Sequence, residues 1–262
     1  MPTASEHLQA GRLGDALAAA IDAVKAAPAD RGKRWLLAEL LAVAGDSERA
    51  DKHFDFLTTG SEKPDLTALL GRQLVRAETF RREVFGQGRV PEFLTQPPDH
   101  AKLALEALVC VREGKTDEAL AKLAEAEAAR PTAAGTFNGN PFTGLRDLDD
   151  LTAGVFEVFT SHGNYYWVPF ETVELIECRA PTRPKDLIWR SCHMIVKDGP
   201  DGEVYLPALY TGTHAATDDV VKLGRRTDYT DTRPVRGTGQ REFLVGDDPR
   251  TMMEIETIEF QP

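Results

Sequence analysis

Six side chains in the second half of the chain are of types that could bind a metal ion or act as acid, base or nucleophile. None falls at a metal-ligand spacing, because the sequence contains no H-x-x-x-H, H-E-x-x-H or C-x-x-C pattern. Catalytic partners can be distant in sequence, so a metal site or a cysteine–histidine enzyme stays open as the minor interpretation. A strand that turns Cys192 and His193 to opposite faces is favoured. The six residues are His162, His193, His214, Asp149, Asp150 and Cys192.

Paired acids and glycines suggest two further kinds of site. Asp149 and Asp150 follow a glycine-rich turn, where carboxylates commonly cap a helix or turn, although the pair could also form an acid site. The glycines around Gly239 suggest a phosphate-binding loop but lack the lysine of a Walker motif, so a hairpin turn is favoured. Gly224 followed by Arg225 predicts the capped end of a helix with cations after it.

Composition and charge exclude several classes of protein. The 262 residues include 31 basic and 42 acidic side chains, for a net charge of −11. A binder of nucleic acid or of an anionic membrane needs a clustered excess of cations, so neither is expected as the main partner. The cysteines, Cys110, Cys178 and Cys192, predict no disulfide framework and favour a reducing cytoplasm. We expect no export signal and no membrane-spanning segment.

The chain divides into two halves with different periodicity. Residues 1–135 are rich in Ala, Leu, Glu, Lys and Arg with apolar positions at helical spacing, whereas residues 136–262 contain short runs of β-branched and aromatic residues. The join at 131–145 is crowded with Gly, Pro and Asn, which favour turns. These features predict an α+β protein, with a helical domain over 1–135 and a mostly antiparallel, β-rich domain over 136–262.

A glycine–alanine–proline pattern repeats within the first half. It begins at Gly11, recurs at Gly45, and recurs at Gly114 after a gap that leaves room for one divergent unit. The period is that of tetratricopeptide repeats: glycine closes the turn between two helices, small alanines allow close packing, and proline ends the second helix. The helices predicted around this pattern are Arg31–Ala44, Asp65–Phe85 and His100–Arg112.

Short apolar runs separated by turn signals predict strands in the second half, with a short helix at Thr217–Leu223. The densest aromatic run, Tyr165–Phe170, is expected to lie mainly in the core, because aromatic strand residues usually pack inward. The predicted strands are Val155–Thr160, Tyr165–Val168, Val173–Cys178, Leu187–Val196, Val204–Tyr210, Glu242–Val245 and Glu254–Phe260.

Arginines on the long predicted helix 65–85 are candidates for partner binding. Arg72 and Arg76 are four residues apart and share one face. Arg82 lies about a quarter-turn from Arg72, and Arg81 points away. A solvated face is one interpretation. The other is that this helix borders the groove in which a repeat array binds peptides, in which case an acidic partner suits it.

A series of ordered motifs runs through nearly the whole chain. It comprises Arg81–Phe85 and Gly88–Leu94 in the first half, and it includes Tyr205–Tyr210 and Gly237–Phe243 in the second. The series resembles the TagJ/ImpE family, also called SciE-type virulence proteins, which are accessory proteins of bacterial type VI secretion. One departure is Tyr229, where many relatives are expected to carry Trp. The motif positions are Asp149, Asp150, Tyr166, Trp167, Pro169, Trp189, Arg190, Pro207, Tyr210, Gly224, Arg225, Asp228 and Gly239.

The resemblance implies a cytoplasmic, non-enzymatic adaptor, and it carries over no catalytic residue, metal or cofactor. The partner it implies is the N-terminal helix of the small subunit of the contractile sheath, a TssB-like protein. It also implies a link to the ClpV ATPase, which disassembles the contracted sheath. Because a helical-repeat array suits the binding of an amphipathic helix, we predict docking on the helical domain. The first positions to test are Trp35, Arg72, Arg76 and Arg82.

Two other classes of protein compete with the adaptor. An enzyme with its site around Asp149, Asp150, His193 and His214 predicts that these groups converge in a concave pocket with shifted pKa values. A purely architectural protein would instead recruit its partners through dimerisation.

Overall fold

The computed structural model describes residues 2–59 and 65–261. Its helices are α1 (Ala4–Gln9), α2 (Leu13–Ala26), α3 (Arg31–Val43), α4 (Ser47–Thr58), α5 (Leu66–Gln87), α6 (Asp99–Arg112), α7 (Thr116–Ala129) and α8 (Asp219–Lys222). Its strands are β1 (Ala134–Phe137), β2 (Asn140–Thr143), β3 (Leu145–Asp147), β4 (Val155–Phe159), β5 (Tyr165–Pro169), β6 (Val173–Cys178), β7 (Trp189–Val196), β8 (Asp201–Pro207), β9 (Asp228–Tyr229), β10 (Gly237–Thr238), β11 (Glu242–Val245), β12 (Asp248–Thr251) and β13 (Thr257–Phe260). Short 3₁₀ turns include 150–152 and 184–187.

Helix pairs in the first half confirm the predicted repeats. α1 packs on α2, α3 on α4, and α6 on α7. The turn within each pair contains the glycine that marks the sequence pattern. Gly11, Gly45 and Gly114 have φ angles of 77°, 82° and 73°, a left-handed conformation that residues with a Cβ rarely adopt. The single long helix α5 fills the place of the divergent unit.

The ends of these helices follow local sequence signals. Asp30, Asp46 and Asp65 accept hydrogen bonds from backbone N–H groups in the first turns of α3, α4 and α5. Gly88, with a φ angle of 88°, caps the end of α5, whose last residue, Gln87, lies two residues beyond the predicted helix. No helix in the described part of the chain is long and apolar enough to cross a membrane.

The strands form three antiparallel sheets. The largest has the order β2-β1-β13-β6-β7-β8-β4-β5, the second the order β12-β11-β3, and β10 pairs with β9 in the third. The predicted α+β class is confirmed, with helices first and antiparallel sheets after them.

The large sheet lies between the helices and the second sheet. Along β5, Tyr165 and Trp167 belong to the core shared with the helices, whereas Val168 belongs to the core shared with the second sheet. In that second core the ring centroid of Phe156 lies 4.4 Å from that of Phe170 and 5.8 Å from that of Phe243 in β11. Successive strand residues point to opposite faces, so the aromatic run supplies both cores, as expected for buried strand residues.

Residues 131–145 have more regular structure than the predicted turn-rich join. They contain the hairpin β1–β2, whose two-residue turn is Asn138-Gly139 with φ angles of 49° and 78°. Positive φ at both positions is the geometry of a type I′ turn, for which Asn-Gly is the preferred sequence. β12 is likewise absent from the predicted strands, because Asp248 and Pro249 are residue types with low strand propensity.

Proline occupies three outer strands of the two larger sheets. β2 and β5 are the outer strands of the large sheet and β12 is an outer strand of the second, and they contain Pro141, Pro169 and Pro249. Proline has no N–H to donate to an added strand. These edges are therefore poor sites for strand addition by another chain.

A disulfide joins Cys178 of β6 to Cys192 of β7. The two residues are directly opposite in the register of these strands, and the N–H of Cys178 bonds to Glu256 instead of to β7. Side chains at such non-hydrogen-bonded positions lie close together. The sequence predicts no disulfide framework, and this one bridge corrects that expectation. It forms because the register of β6 and β7 places the two cysteines opposite each other. Cys110 is buried and free.

Candidate functional site: a buried charge network and an open helical groove

Buried charged side chains connect the helices to the large sheet. Arg81 of α5 is 2% exposed and donates a 2.8 Å hydrogen bond to each carboxylate oxygen of Glu157 in β4. It also donates to the carbonyl oxygen of Leu209 at 3.0 Å. As predicted, Arg81 points away from the face that carries Arg72 and Arg76. That direction leads into the interface with the sheet.

The network extends from Glu157 to the second sheet. Arg241 donates to Asp147 Oδ2 at 2.8 Å and also forms an ion pair with Glu157. The hydroxyl of Tyr165 donates to Glu157, and Trp167 Nε1 donates to that hydroxyl at 2.6 Å. Two buried arginines thus neutralise two buried carboxylates, and aromatic donors satisfy the remaining oxygen positions.

Within this network, the Asp147–Arg241 pair is charged around neutral pH. Burial raises the pKa of Asp147 to about 6, against the opposing effect of Arg241. Burial also lowers the pKa of Arg241 to about 10, so both groups are charged between these values. The adjoining cavity, lined by Arg81 and Tyr210, has a volume of about 30 Å³, which is room for about one water molecule and too small for a substrate. The network therefore fixes how the helices sit on the sheet.

Asp149 and Asp150 act as structural ties, which agrees with the capping interpretation. Asp149 accepts hydrogen bonds from the backbone N–H groups of Leu151 at 3.0 Å and Gly237 at 3.2 Å, and Arg236 Nε lies 2.8 Å from its Oδ2. Asp150 binds Arg146 at 2.9 Å. Each carboxylate thus holds a cation and backbone donors of its own, so the two do not share a proton as a paired acid site would.

The four residues of the enzyme hypothesis do not share a pocket. His193 Nε2 lies 2.9 Å from Asp201 Oδ1 at a partly exposed position on β7 and β8. His214 lies against Gly45, where an added methyl group would be 2.5 Å from its Cβ. Neither histidine contacts Asp149 or Asp150 among the residues described. Residues 2–59 and 65–261 contain no group of three or more His, Cys, Asp or Glu side chains that could hold a metal ion.

Arg72 and Arg76 lie in an open groove along α5, here called the α4–α5 groove. Its volume is about 740 Å³. Arg72 bridges to α4 by ion pairs with Asp51, at 2.8 Å, and with Asp55. Arg76 is exposed and has no carboxylate within ion-pair distance in residues 2–59 and 65–261. The groove is lined by Leu69, Arg72, Gln73, Val75, Arg76, Thr79, Phe80, Glu83 and Arg89, with Ser47, Glu48 and Asp51 of α4.

Trp35 and Arg82 lie outside this groove. The guanidinium of Arg183 covers the ring of Trp35, 4.6 Å from its centroid, and Trp35 meets Phe54 edge-on at 5.4 Å. Arg82 donates to the carbonyl oxygen of Gly45 at 2.9 Å, beside His214. The structure therefore brings Arg72 and Arg76 together and separates them from Trp35 and Arg82, which help to join the helices to the β-rich part.

Glu39 of α3 is a buried carboxyl with a shifted pKa at the same junction. It is 2% exposed, and burial raises its pKa to about 7 although Arg183 Nε lies 2.8 Å away. The unfolded chain releases this proton near pH 4.5. Because the folded protein holds the proton more tightly, the free energy of unfolding falls as the pH rises from about 4.5 to 7.

Replacing Glu39 by glutamine is expected to remove that pH dependence. From pH 5 to pH 8, the free energy of unfolding of Glu39→Gln should rise by about 2–3 kcal/mol relative to that of the wild type. Urea unfolding at steps of half a pH unit measures it. Asp99→Asn, at an exposed position, is the control and should follow the wild-type curve. A difference that stays constant over this range would show that Glu39 does not titrate there.

The motif position Arg225 and the nearby Asp219 hold the segment 208–240 against the first repeat. Arg225 donates to the carbonyl oxygens of Gln9 at 3.0 Å and Leu8 at 2.9 Å, at the end of α1. Nearby, Asp219 accepts from the N–H of Gly14 at 2.9 Å, at the start of α2, whose own N-cap residue provides no side-chain bond. A carboxylate at a helix N-terminus is stabilising, so the β-rich part caps a helix of the repeat array.

Most of the remaining motif positions have partners within the β-rich part, whereas Tyr166 pairs with the first half of the chain. Tyr210 donates to Asp147 at 2.9 Å, and Arg190 donates to the carbonyl oxygen of Ile255 at 3.3 Å. Trp189 is buried opposite Pro207 of β8, Tyr166 bridges to Glu92, and Asp228 pairs with Arg226. Gly224 and Gly239 have positive φ angles. These contacts show that the motif residues stabilise the fold.

Sequence reasoning missed the charged residues of the interface, including Glu157, Asp147, Arg241 and Glu39. One signal was present for Glu157, a charged residue in the centre of the apolar run V-F-E-V-F. A charge that a strand pattern places among buried residues needs a buried partner. Sequence alone does not show which residue that partner is.

Comparisons with known proteins cover both halves of the chain. A family model described as "ImpE protein" matches residues 139–259. The "Type VI secretion system accessory component TagJ" of Pseudomonas aeruginosa is 32% identical over 264 residues, covering 99% of this chain and 91% of that protein. The crystal structure of protein VPA1032 from Vibrio parahaemolyticus has a TM-score of 0.87 at 25% identity, covering 99% of this chain and 97% of that one. The similarity therefore extends over the helices and the sheets alike.

Proposed function

Because this chain belongs to the TagJ/ImpE family of type VI secretion accessory components, we propose that it is a non-enzymatic, cytoplasmic adaptor of that system. Its partner is the N-terminal helix of the small sheath subunit, a TssB-like protein, and it links that subunit to the ClpV ATPase. The observation that carries the proposal is the 32% identity to TagJ over 99% of the chain.

The arrangement of open and covered surfaces supports a helical partner. Proline in the outer strands Asn140–Thr143, Tyr165–Pro169 and Asp248–Thr251 disfavours strand addition. The faces of α3, α5 and α6 that meet the β-rich part are covered by the chain itself. The α4–α5 groove is open, and a groove beside a helix is a common seat for an amphipathic helix.

The residues of the α4–α5 groove supply both anchoring and charge. Leu69, Arg72, Arg76, Phe80 and Glu83 follow one another at spacings of three and four, so they share one face of α5. Leu69 is 41% exposed and offers an apolar contact, whereas Arg76, which has no ion-pair partner in residues 2–59 and 65–261, offers a charge for a carboxylate of the partner. A helix with one apolar stripe and an acidic residue beside it satisfies both.

Charge reversal at Arg76 tests this docking site. The binding partner is a synthetic peptide of the sheath subunit's N-terminal helix, and the protein is full length. Arg76→Glu is expected to raise the dissociation constant at least about tenfold. Isothermal titration calorimetry measures it. Arg250→Glu, at a partly exposed position in β12, is the control and should bind like the wild type.

Arg76 is the cleanest of the candidate positions. Arg72, Trp35 and Arg82 also hold parts of the fold together, so their substitution changes stability along with binding. Equal affinity of Arg76→Glu and Arg250→Glu for the peptide would place the docking surface elsewhere. A wild-type protein that does not bind the peptide at all would remove the proposed partner.

A further inference from the structure

A second groove lies between the last helix of the repeat array and the β-rich part. This groove, here called the α7 cleft, has a volume of about 270 Å³ and shares no lining residue with the α4–α5 groove. The residues that decide its chemistry are Ala104 of α6, Leu120, Leu123 and Ala124 of α7, Arg146 of β3, and Arg233.

One wall of the α7 cleft is apolar. No helix follows α7 in the array, because the chain continues into β1, and within residues 116–129 only Ala119 and Ala126 are buried. Leu120 and Leu123 are spaced to share a face, and both are half-buried and line the cleft. The last unit of a repeat array needs a covering for such a face. Here it remains partly open.

The other wall is rich in arginine. Arg130 binds Glu127 at 2.6 Å and Arg146 binds Asp150 at 2.9 Å, so each of these cations has an acidic partner. Arg233 is exposed and has no carboxylate within ion-pair distance in the described part of the chain. Three arginines against two acids give this cleft a positive excess, although the protein as a whole carries a net charge of −11.

We propose that the α7 cleft binds a short acidic segment of a partner protein. An apolar side chain of that segment packs against Leu120 and Leu123, and a neighbouring carboxylate pairs with Arg233. An apolar wall beside a cationic wall favours a peptide as the ligand. A small anion would bind the arginines and leave the leucines exposed to water. This site goes beyond the proposed adaptor function, because it lies on a different surface and takes a segment other than the sheath helix.

The test uses the full-length protein and a fluorescein-labelled peptide, Glu-Leu-Glu-Glu-Leu-Leu-Glu, as the probe. We expect a dissociation constant on the order of 100 μM by fluorescence anisotropy, which rises as salt increases from 50 to 200 mM because salt screens the charge pairing. Arg233→Glu should weaken binding at least about tenfold. Ala124→Trp, which fills the cleft without a change of charge, should weaken it equally.

Three controls separate binding in the α7 cleft from binding elsewhere on the protein. The same peptide with lysine in place of glutamate should not bind, and Arg76→Glu should bind the acidic peptide like the wild type. Arg233→Glu should retain its affinity for the sheath helix, so failure here is distinguishable from failure of the adaptor proposal. The proposal is overturned if the acidic peptide does not bind below 1 mM, if Arg233→Glu and Arg76→Glu weaken it alike, or if sedimentation shows a second copy of the chain displaced from the cleft by Ala124→Trp.

Discussion

Replacement of Glu157 by glutamine is expected to lower the free energy of unfolding by about 3–5 kcal/mol. The substitution keeps the shape of the side chain but removes the charge that Arg81 and Arg241 share. Both arginines are 2% exposed, so neither can turn to water for compensation. Breaking a buried ion pair from one side costs far more than the pair itself contributes, because the remaining charge stays buried.

Urea unfolding followed by circular dichroism measures this effect. The transition midpoint should fall while the slope with urea stays the same, since the variant exposes the same surface when it unfolds. Glu48→Gln is the matched control, because Glu48 pairs with Lys52 at the exposed surface of α4 and such pairs contribute at most about 1 kcal/mol. A loss below about 1 kcal/mol for Glu157→Gln would show that the network does not fix the helices on the sheet.

Replacement of Gly239 by alanine is expected to cost about 3 kcal/mol or more. Its φ angle is 110°, a region that residues with a Cβ rarely adopt and that costs about 1–3 kcal/mol. The added methyl group would lie 2.1 Å from the carbonyl oxygen of Arg226 and 3.0 Å from the Cα of Thr227. Both are backbone atoms, so no flexible side chain can move aside, and the overlap costs about 1–3 kcal/mol more.

Gly86→Ala provides the control for Gly239→Ala. Gly86 lies in α5 with no atom within 4 Å of an added methyl group, so this substitution should leave stability unchanged or raise it by up to about 1 kcal/mol. Differential scanning calorimetry of both variants measures the contrast. Equal melting temperatures for the two would mean that the backbone around Gly239 rearranges without cost, and that the glycine of this motif position is not required by the fold.

Local patterns were sufficient for the helix pairs and for the longer strands. Gly11, Gly45 and Gly114 marked the helix pairs, because a left-handed turn is a property of the residue and its neighbours. Val173–Cys178 and Glu242–Val245 were predicted with the observed bounds, because β-branched and aromatic residues favour strands wherever they occur. The hairpin at Asn138-Gly139 carried an equally local signal, but the surrounding proline and glycine concealed it.

The partners of the charged residues depended on more than local pattern. Four arginines, Arg72, Arg76, Arg81 and Arg82, lie within eleven residues of one helix, and by residue type alone they are equivalent cations. In the structure Arg76 is exposed, Arg72 bridges two helices, and Arg81 is buried against the sheet. The helix period predicts that these side chains point in different directions. Which of those directions faces solvent depends on where the sheet packs against the helix.

Residue types and their spacing were enough to establish a repeat of helix pairs followed by antiparallel strands, and the family resemblance. These follow from patterns over a few turns or strands. Tertiary packing was needed to bring Arg81 to Glu157, 76 residues away, and Arg241 to Asp147, 94 residues away. Such pairs are selected by burial, because a charge removed from water must find its partner among whatever elements the fold brings beside it.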